Sequence, residues 1–122
     1  KKIAKRYLEG LKNLDLITLP TVKIDRESSW HLFPVRLNLE MLTKNRAQII
    51  DELKNHNIGV GVHFMPVHQH LYYSETFKLD DKNFPIASAS FPRLMSLPIY
   101  PELTETQQAY VVEMIAEFYQ RA

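Results

Sequence analysis

Residues 57–73, NIGVGVHFMPVHQHLYY, gather two glycines, three histidines, a proline and a tyrosine pair into one short span. Val60, Val62 and Phe64 alternate with Gly59, Gly61 and His63, the period of two that sends neighbouring side chains to opposite faces of a strand. The alternation predicts a strand over 59–64, with His63 on the same face as both glycines. Glycine weakens a strand interior. Two on one face signal either flat packing against another element, with His63 bonded at its edge, or the close approach of a ligand. Pro66 fixes its own φ and drives Met65 into an extended conformation, so the chain is expected to leave the strand as a loop carrying Val67, His68, Gln69 and His70. Loops that leave strand ends are common carriers of binding groups.

Upstream of this span, Thr43 is a plausible N-cap for a helix running to His56, with Ala47, Ile50 and Leu53 as its buried stripe and Ile49 beside them. Asn57 suits the left-handed position that ends such a helix. Residues 30–37, WHLFPVRL, are aromatic and β-rich and predict a strand with His31, Phe33, Val35 and Leu37 on its apolar face. Pro34 cannot donate to a sheet ladder, which places this strand at an edge or calls for a bulge. Strand, helix and strand then follow in order. At the start of the chain Ile3, Tyr7, Leu8, Leu11 and Leu14 recur at helical spacing, giving an amphipathic helix over 1–13 in which Gly10 costs about 1 kcal/mol relative to Ala. The stretch 15–29 contains Pro20 and scattered β-branched residues and suits an extended connection with one short strand.

Downstream, the chain is polar from 74 to 83. It then turns small and apolar over 84–91, a short helix with Pro85 in its first turn and Pro92 ending it. Residues 95–100, MSLPIY, read as a short extended piece. Thr104 and Gln107 form a capping box for a last helix whose Val111, Ile115, Phe118 and Tyr119 define the core face. Met41, Met65, Met95 and Met114 look like core filling. Together these elements predict an α+β, two-layer fold: a small antiparallel sheet of about three strands with helices packed on it.

At 122 residues the chain suits one domain with an independent core. A net charge of +1 with 24% charged residues argues against an electrostatic nucleic-acid binder. Cysteine is absent, which removes disulfides, thiolate metal sites and cysteine nucleophiles together. No apolar run approaches the roughly 18–20 residues of a membrane span, and a soluble, cytoplasmic protein is expected. The start at Lys1, without an initiator Met, suggests a piece of something longer. His63, His68 and His70 invite a metal site, with Glu75 and Asp80 as the nearest carboxylates. Their spacing fits no HExxH-type pattern, and no metal is expected. No glycine-rich phosphate loop or nucleophile elbow is present. Tyr72 and Tyr73 read on their own as core and rim.

Taken together, NIGVGVHFMPVHQHLYY and FPIASASFPRLMSLPIYPELT resemble the C-terminal part of the DegT/DnrJ/EryC1/StrS family, with WHLFPVRL extending the resemblance over nearly all of the chain. Asn57 stands where the family usually has glycine, Ser88 replaces a typical glutamate and so removes an ion pair, and Pro34 and Pro92 interrupt elements usually unbroken. The resemblance implies the small C-terminal domain of a pyridoxal-phosphate-dependent nucleotide-sugar aminotransferase, with residues 1–122 closing over an active site held by a large domain. It implies a homodimeric parent enzyme that moves an amino group from an amino-acid donor, typically glutamate, to a keto group of a nucleotide-linked sugar, in polysaccharide or cell-envelope sugar synthesis. His63, His68, Tyr72 and Tyr73 match the family's motif positions and are the implied substrate-binding residues. The family's Schiff-base lysine motif is not recognisable here, so the chain alone is expected to bind no cofactor and to be inactive. A non-catalytic interaction or regulatory module that keeps the fold is the competing expectation.

Overall fold

The computed structural model describes the backbone of residues 1–120 and the side chains through Glu117. Phe118 and Tyr119, expected on the core face of the last helix, have side chains outside the described residues. The elements in chain order are α1 (Lys2–Leu11), β1 (Ile17–Thr18), β2 (Phe33–Leu37), α2 (Arg46–Asn55), α3 (Leu71–Phe77), α4 (Pro85–Ser90), β3 (Leu94–Leu97) and α5 (Glu105–Gln120). The strands form one antiparallel sheet in the order β1-β2-β3, the expected fold class.

β2 is the central strand, against the expectation of an edge or a bulge at Pro34. The sheet solves the missing donor by register. Pro34 lies opposite Ser96, and Ser96 exchanges both of its backbone hydrogen bonds with Gly61 on its other side, so the Pro34–Ser96 pair is of the non-hydrogen-bonded kind. On the other flank β1 reaches only Leu37 and Arg36, leaving Pro34 locally at an edge inside a central strand. The strand also starts later than expected, at Phe33. Trp30 has φ 53, a left-handed conformation no strand contains, and His31 is exposed. Trp30 instead lays its ring on Phe33 at 5.7 Å.

Alternation carries Phe33, Val35 and Leu37 to one face, where they are buried with Met95 and Leu97 of β3. α1 buries Ala4, Tyr7 and Leu11, and α5 buries Val111, Met114 and Ile115. A Cβ on Gly10 would stand 3.1 Å from Val112 Cγ1, so this glycine's helix cost is offset by the closeness of α1 to α5. Tyr7 donates its hydroxyl to Pro98 O at 2.9 Å, and burial holds the phenol proton on well above the ordinary range. The expected Thr104–Gln107 box is present at the start of α5, its side chains bonding each other's backbone N–H. α2 starts later than expected: Asn45, not Thr43, caps it, in a reciprocal box with Gln48. Leu53 is buried as expected, Ile49 is the other buried residue of the helix, Ile50 is half-buried and Ala47 is exposed. Met95 and Met114 are core filling as expected, whereas Met41 and Met65 are exposed.

Candidate functional site

Residues 57–73 begin on a firm anchor. Asn57 adopts the expected left-handed conformation, φ 59, and Ile58 closes back on Leu53 O at 2.9 Å with its own side chain buried. Beyond it the expected strand over 59–64 shrinks to one bridge, Gly61 with Ser96. Val62 and Phe64 are exposed, so no apolar face holds the remaining residues against the sheet. The glycine face is open: a Cβ on Gly59 would meet nothing within 4 Å, and one on Gly61 would make an ordinary 3.6 Å contact with Ser96. Packing within the chain therefore requires neither glycine. His63, half-buried on that face, is tied by Nε2 to the buried Ser96 hydroxyl at 3.0 Å.

After Pro66 the expected loop is more ordered than its composition suggests. A 3-10 turn, Val67–Gln69, leads into α3, which was expected to be loop and polar chain; Lys78 in a left-handed conformation ends it. His68 is not on the surface, as a loop position would suggest, but 6% exposed. Its ring stacks on Phe84 at 4.6 Å, and its Nε2 lies 2.8 Å from Ser88 Oγ and 3.1 Å from Asp81 Oδ1. Gln69 also donates to Asp81 Oδ1, at 2.8 Å. Amide, hydroxyl and then imidazole hold the Asp81 carboxyl below its usual range. Ser88, where an ion pair was expected to be lost, thus bonds both His68 and Asp81. Asp81, Ser88 and Ser96 were not read as site residues from sequence, because nothing in their spacing marks them as neighbours of histidines.

Tyr72 and Tyr73 are exposed on α3, packed edge-to-face at 5.3 Å. They are not core. The histidines do not converge on one point: His63 faces Ser96, His68 faces Asp81 and Ser88, and His70 Nε2 lies 3.1 Å from Met65 O. Among the described residues no three histidine, cysteine or acidic side chains gather to hold a metal ion, and no helix is long and apolar enough to cross a membrane. Carrying pyridoxal phosphate takes a lysine imine, and no hydrogen bond or ion pair joins a lysine to His63, His68 or His70 among the described residues.

The sequence pattern of the DegT/DnrJ/EryC1/StrS aminotransferase family matches residues 1–116, and the chain belongs to that family. It is 41% identical over 94% of its length to an uncharacterised protein, MJ1066, of Methanocaldococcus jannaschii, and 32% identical over 96% to the spore coat polysaccharide biosynthesis protein SpsC of Bacillus subtilis. It covers 30% of each of those proteins. Among solved structures, DesV of S. venezuelae in complex with a ketimine intermediate is similar over 99% of the chain and 31% of its own, with a TM-score of 0.82 at 29% identity. The chain thus spans about a third of the length of the relatives it matches.

Proposed function

We propose that this chain is the small domain of a pyridoxal-phosphate-dependent aminotransferase acting on a nucleotide-linked sugar, with an amino acid, typically glutamate, as donor. The observation that carries the reading is the correspondence of 99% of the chain to DesV at a TM-score of 0.82. A second domain would hold the cofactor and its lysine; when bound there, the cofactor supplies the electron sink for amino transfer. The residues of this chain bind and orient the sugar. His63 offers its free ring nitrogen beside an open glycine face, and Tyr72 and Tyr73 offer exposed rings and hydroxyls. Phe64 and Ile86, both largely exposed, give apolar surface for the cofactor domain to cover and so exclude water. The enzyme so assembled is a cytoplasmic homodimer, and its work in polysaccharide or cell-envelope sugar synthesis is in keeping with its likeness to SpsC, a spore coat polysaccharide biosynthesis protein.

The test has two arms. The purified chain, mixed with pyridoxal phosphate, glutamate and keto-sugar nucleotides, is expected to give no imine absorbance and no product. The same chain joined to a cofactor domain of the family is expected to turn over. Turnover by the chain alone, or none by the joined protein, contradicts the reading.

A further inference from the structure

The contacts around His68 fix more than its position. Ser88 Oγ lies 2.9 Å from Asp81 Oδ1, and the carboxylate can only accept, so the hydroxyl proton goes to Asp81. The Ser88 oxygen is then left as an acceptor 2.8 Å from His68 Nε2, and the same carboxylate oxygen is a second acceptor at 3.1 Å. Two acceptors on one ring nitrogen require that nitrogen to carry the proton. Gln69 supports this, because its amide also donates to Asp81 Oδ1 and keeps the carboxylate in place. Among the described residues the ring's other nitrogen, Nδ1, has no hydrogen-bond partner.

We infer that Asp81 is a positioning residue that, by accepting from both Ser88 Oγ and His68 Nε2, holds the His68 proton on Nε2 and leaves Nδ1 as the acceptor of the uncharged ring. The tautomer is a property of this chain and does not depend on the proposed function. The cluster does not make Ser88 a nucleophile. A nucleophile needs its proton taken by a ring nitrogen while the carboxylate orients the opposite one; here hydroxyl and carboxylate share Nε2, and the hydroxyl proton is on the carboxylate. Stacking on Phe84 holds the ring plane, and the two contacts at Nε2 set which edge of the ring faces Asp81 and Ser88.

Long-range proton–nitrogen NMR on the isotope-labelled chain reads the tautomer of each histidine directly. At a pH where His68 is neutral, it is expected to show one form, protonated at Nε2, while the exposed His31 shows an averaged mixture. In Asp81→Ala the Ser88 hydroxyl loses its carboxylate acceptor and becomes free to donate to Nε2. The ratio of Nε2–H to Nδ1–H at His68 is then expected to fall roughly tenfold or more, the worth of a charge-assisted hydrogen bond. Ser88→Ala keeps the carboxylate and is expected to retain the Nε2–H form. Backbone amide spectra of both variants show whether the fold is kept. A wild-type ring protonated at Nδ1, or an Asp81→Ala spectrum with an unchanged tautomer ratio, overturns the inference. Neither result bears on whether the chain serves an aminotransferase, which the joined-protein assay decides separately.

Discussion

Two halves of this molecule are put together differently. In α1, α2, the sheet and α5, apolar side chains interlock: Tyr7, Leu11, Phe33, Val35, Leu37, Leu53 and Ile115 are all essentially inaccessible. In residues 62–90, which hold two helices of seven and six residues, His68 is the one buried residue, and Phe64, Leu71, Tyr72 and Ile86 point outward. Helices this short are marginal in water on their own. The first half is held by burial, the second by a polar cluster around one imidazole. Apolar surface kept outside a fold with its own core is surface meant for something else, which suits docking and substrate contact in the second half.

The largest contrast comes from placing the same charge in each half. Leu53→Asp buries an unpaired carboxylate in the core and is expected to unfold the chain. Val62, which alternation puts on the apolar face of a strand, is 54% exposed, and Val62→Asp is expected to shift stability by no more than about 0.5 kcal/mol. Urea unfolding followed by circular dichroism checks both. If Val62→Asp also unfolded the chain, the outward half would be packed after all.

A smaller effect is expected at the one buried residue of the outward half. His68→Ala removes the stack on Phe84 and leaves Asp81 and Ser88 to water, a loss of roughly 1–2 kcal/mol. Hydrogen exchange is expected to place that loss in residues 67–90, with β2, β3 and α5 protected as before. Loss of protection spread evenly over the chain would show that the two halves are one cooperative unit.

These contrasts also show which features the sequence carried. The β2 face, α1, the α5 capping box and the left-handed Asn57 follow from local rules of alternation, helical spacing and capping, and each appears where those rules put it. The strand over 59–64 does not form, because alternation reports a face and not whether a partner covers it; Val62 and Phe64 have none here. Pro34 sits in a central strand because its tolerance depends on register with Ser96 and on where β1 stops, which only the folded chain decides. In the candidate site, the histidine positions were marked by their motif. The partners Ser96, Asp81 and Ser88 were not, since each lies 13 or more residues away from its histidine in the chain.

The smallest effect is electrostatic and lies at the seam where the outward half rejoins the sheet. Arg93, just before β3, forks onto Glu40, just after β2, with contacts of 2.7 and 2.5 Å. The guanidinium holds the Glu40 carboxyl down from 4.5 to about 2. A lowered folded-state value means that its contribution is whole above 4.5 and is lost as pH falls toward about 2. The pair is exposed and screened, so Glu40→Gln is expected to remove only a small contribution above pH 4.5 and none near pH 2, which flattens the acid limb of a stability–pH profile slightly. A large loss of stability at neutral pH would mean that the seam carries the fold.

The most direct test of the account is at His63, which lies where the open glycine face meets the outward half. In the chain joined to a cofactor domain, His63→Ala is expected to lower kcat/KM by roughly 10- to 100-fold, read as about 1.4–2.7 kcal/mol of transition-state stabilisation, while leaving cofactor binding and melting temperature nearly unchanged. A kcat/KM within twofold of the unsubstituted protein, or a collapse of thermal stability as the main effect, would show that the histidine serves the fold through Ser96 and would contradict the account.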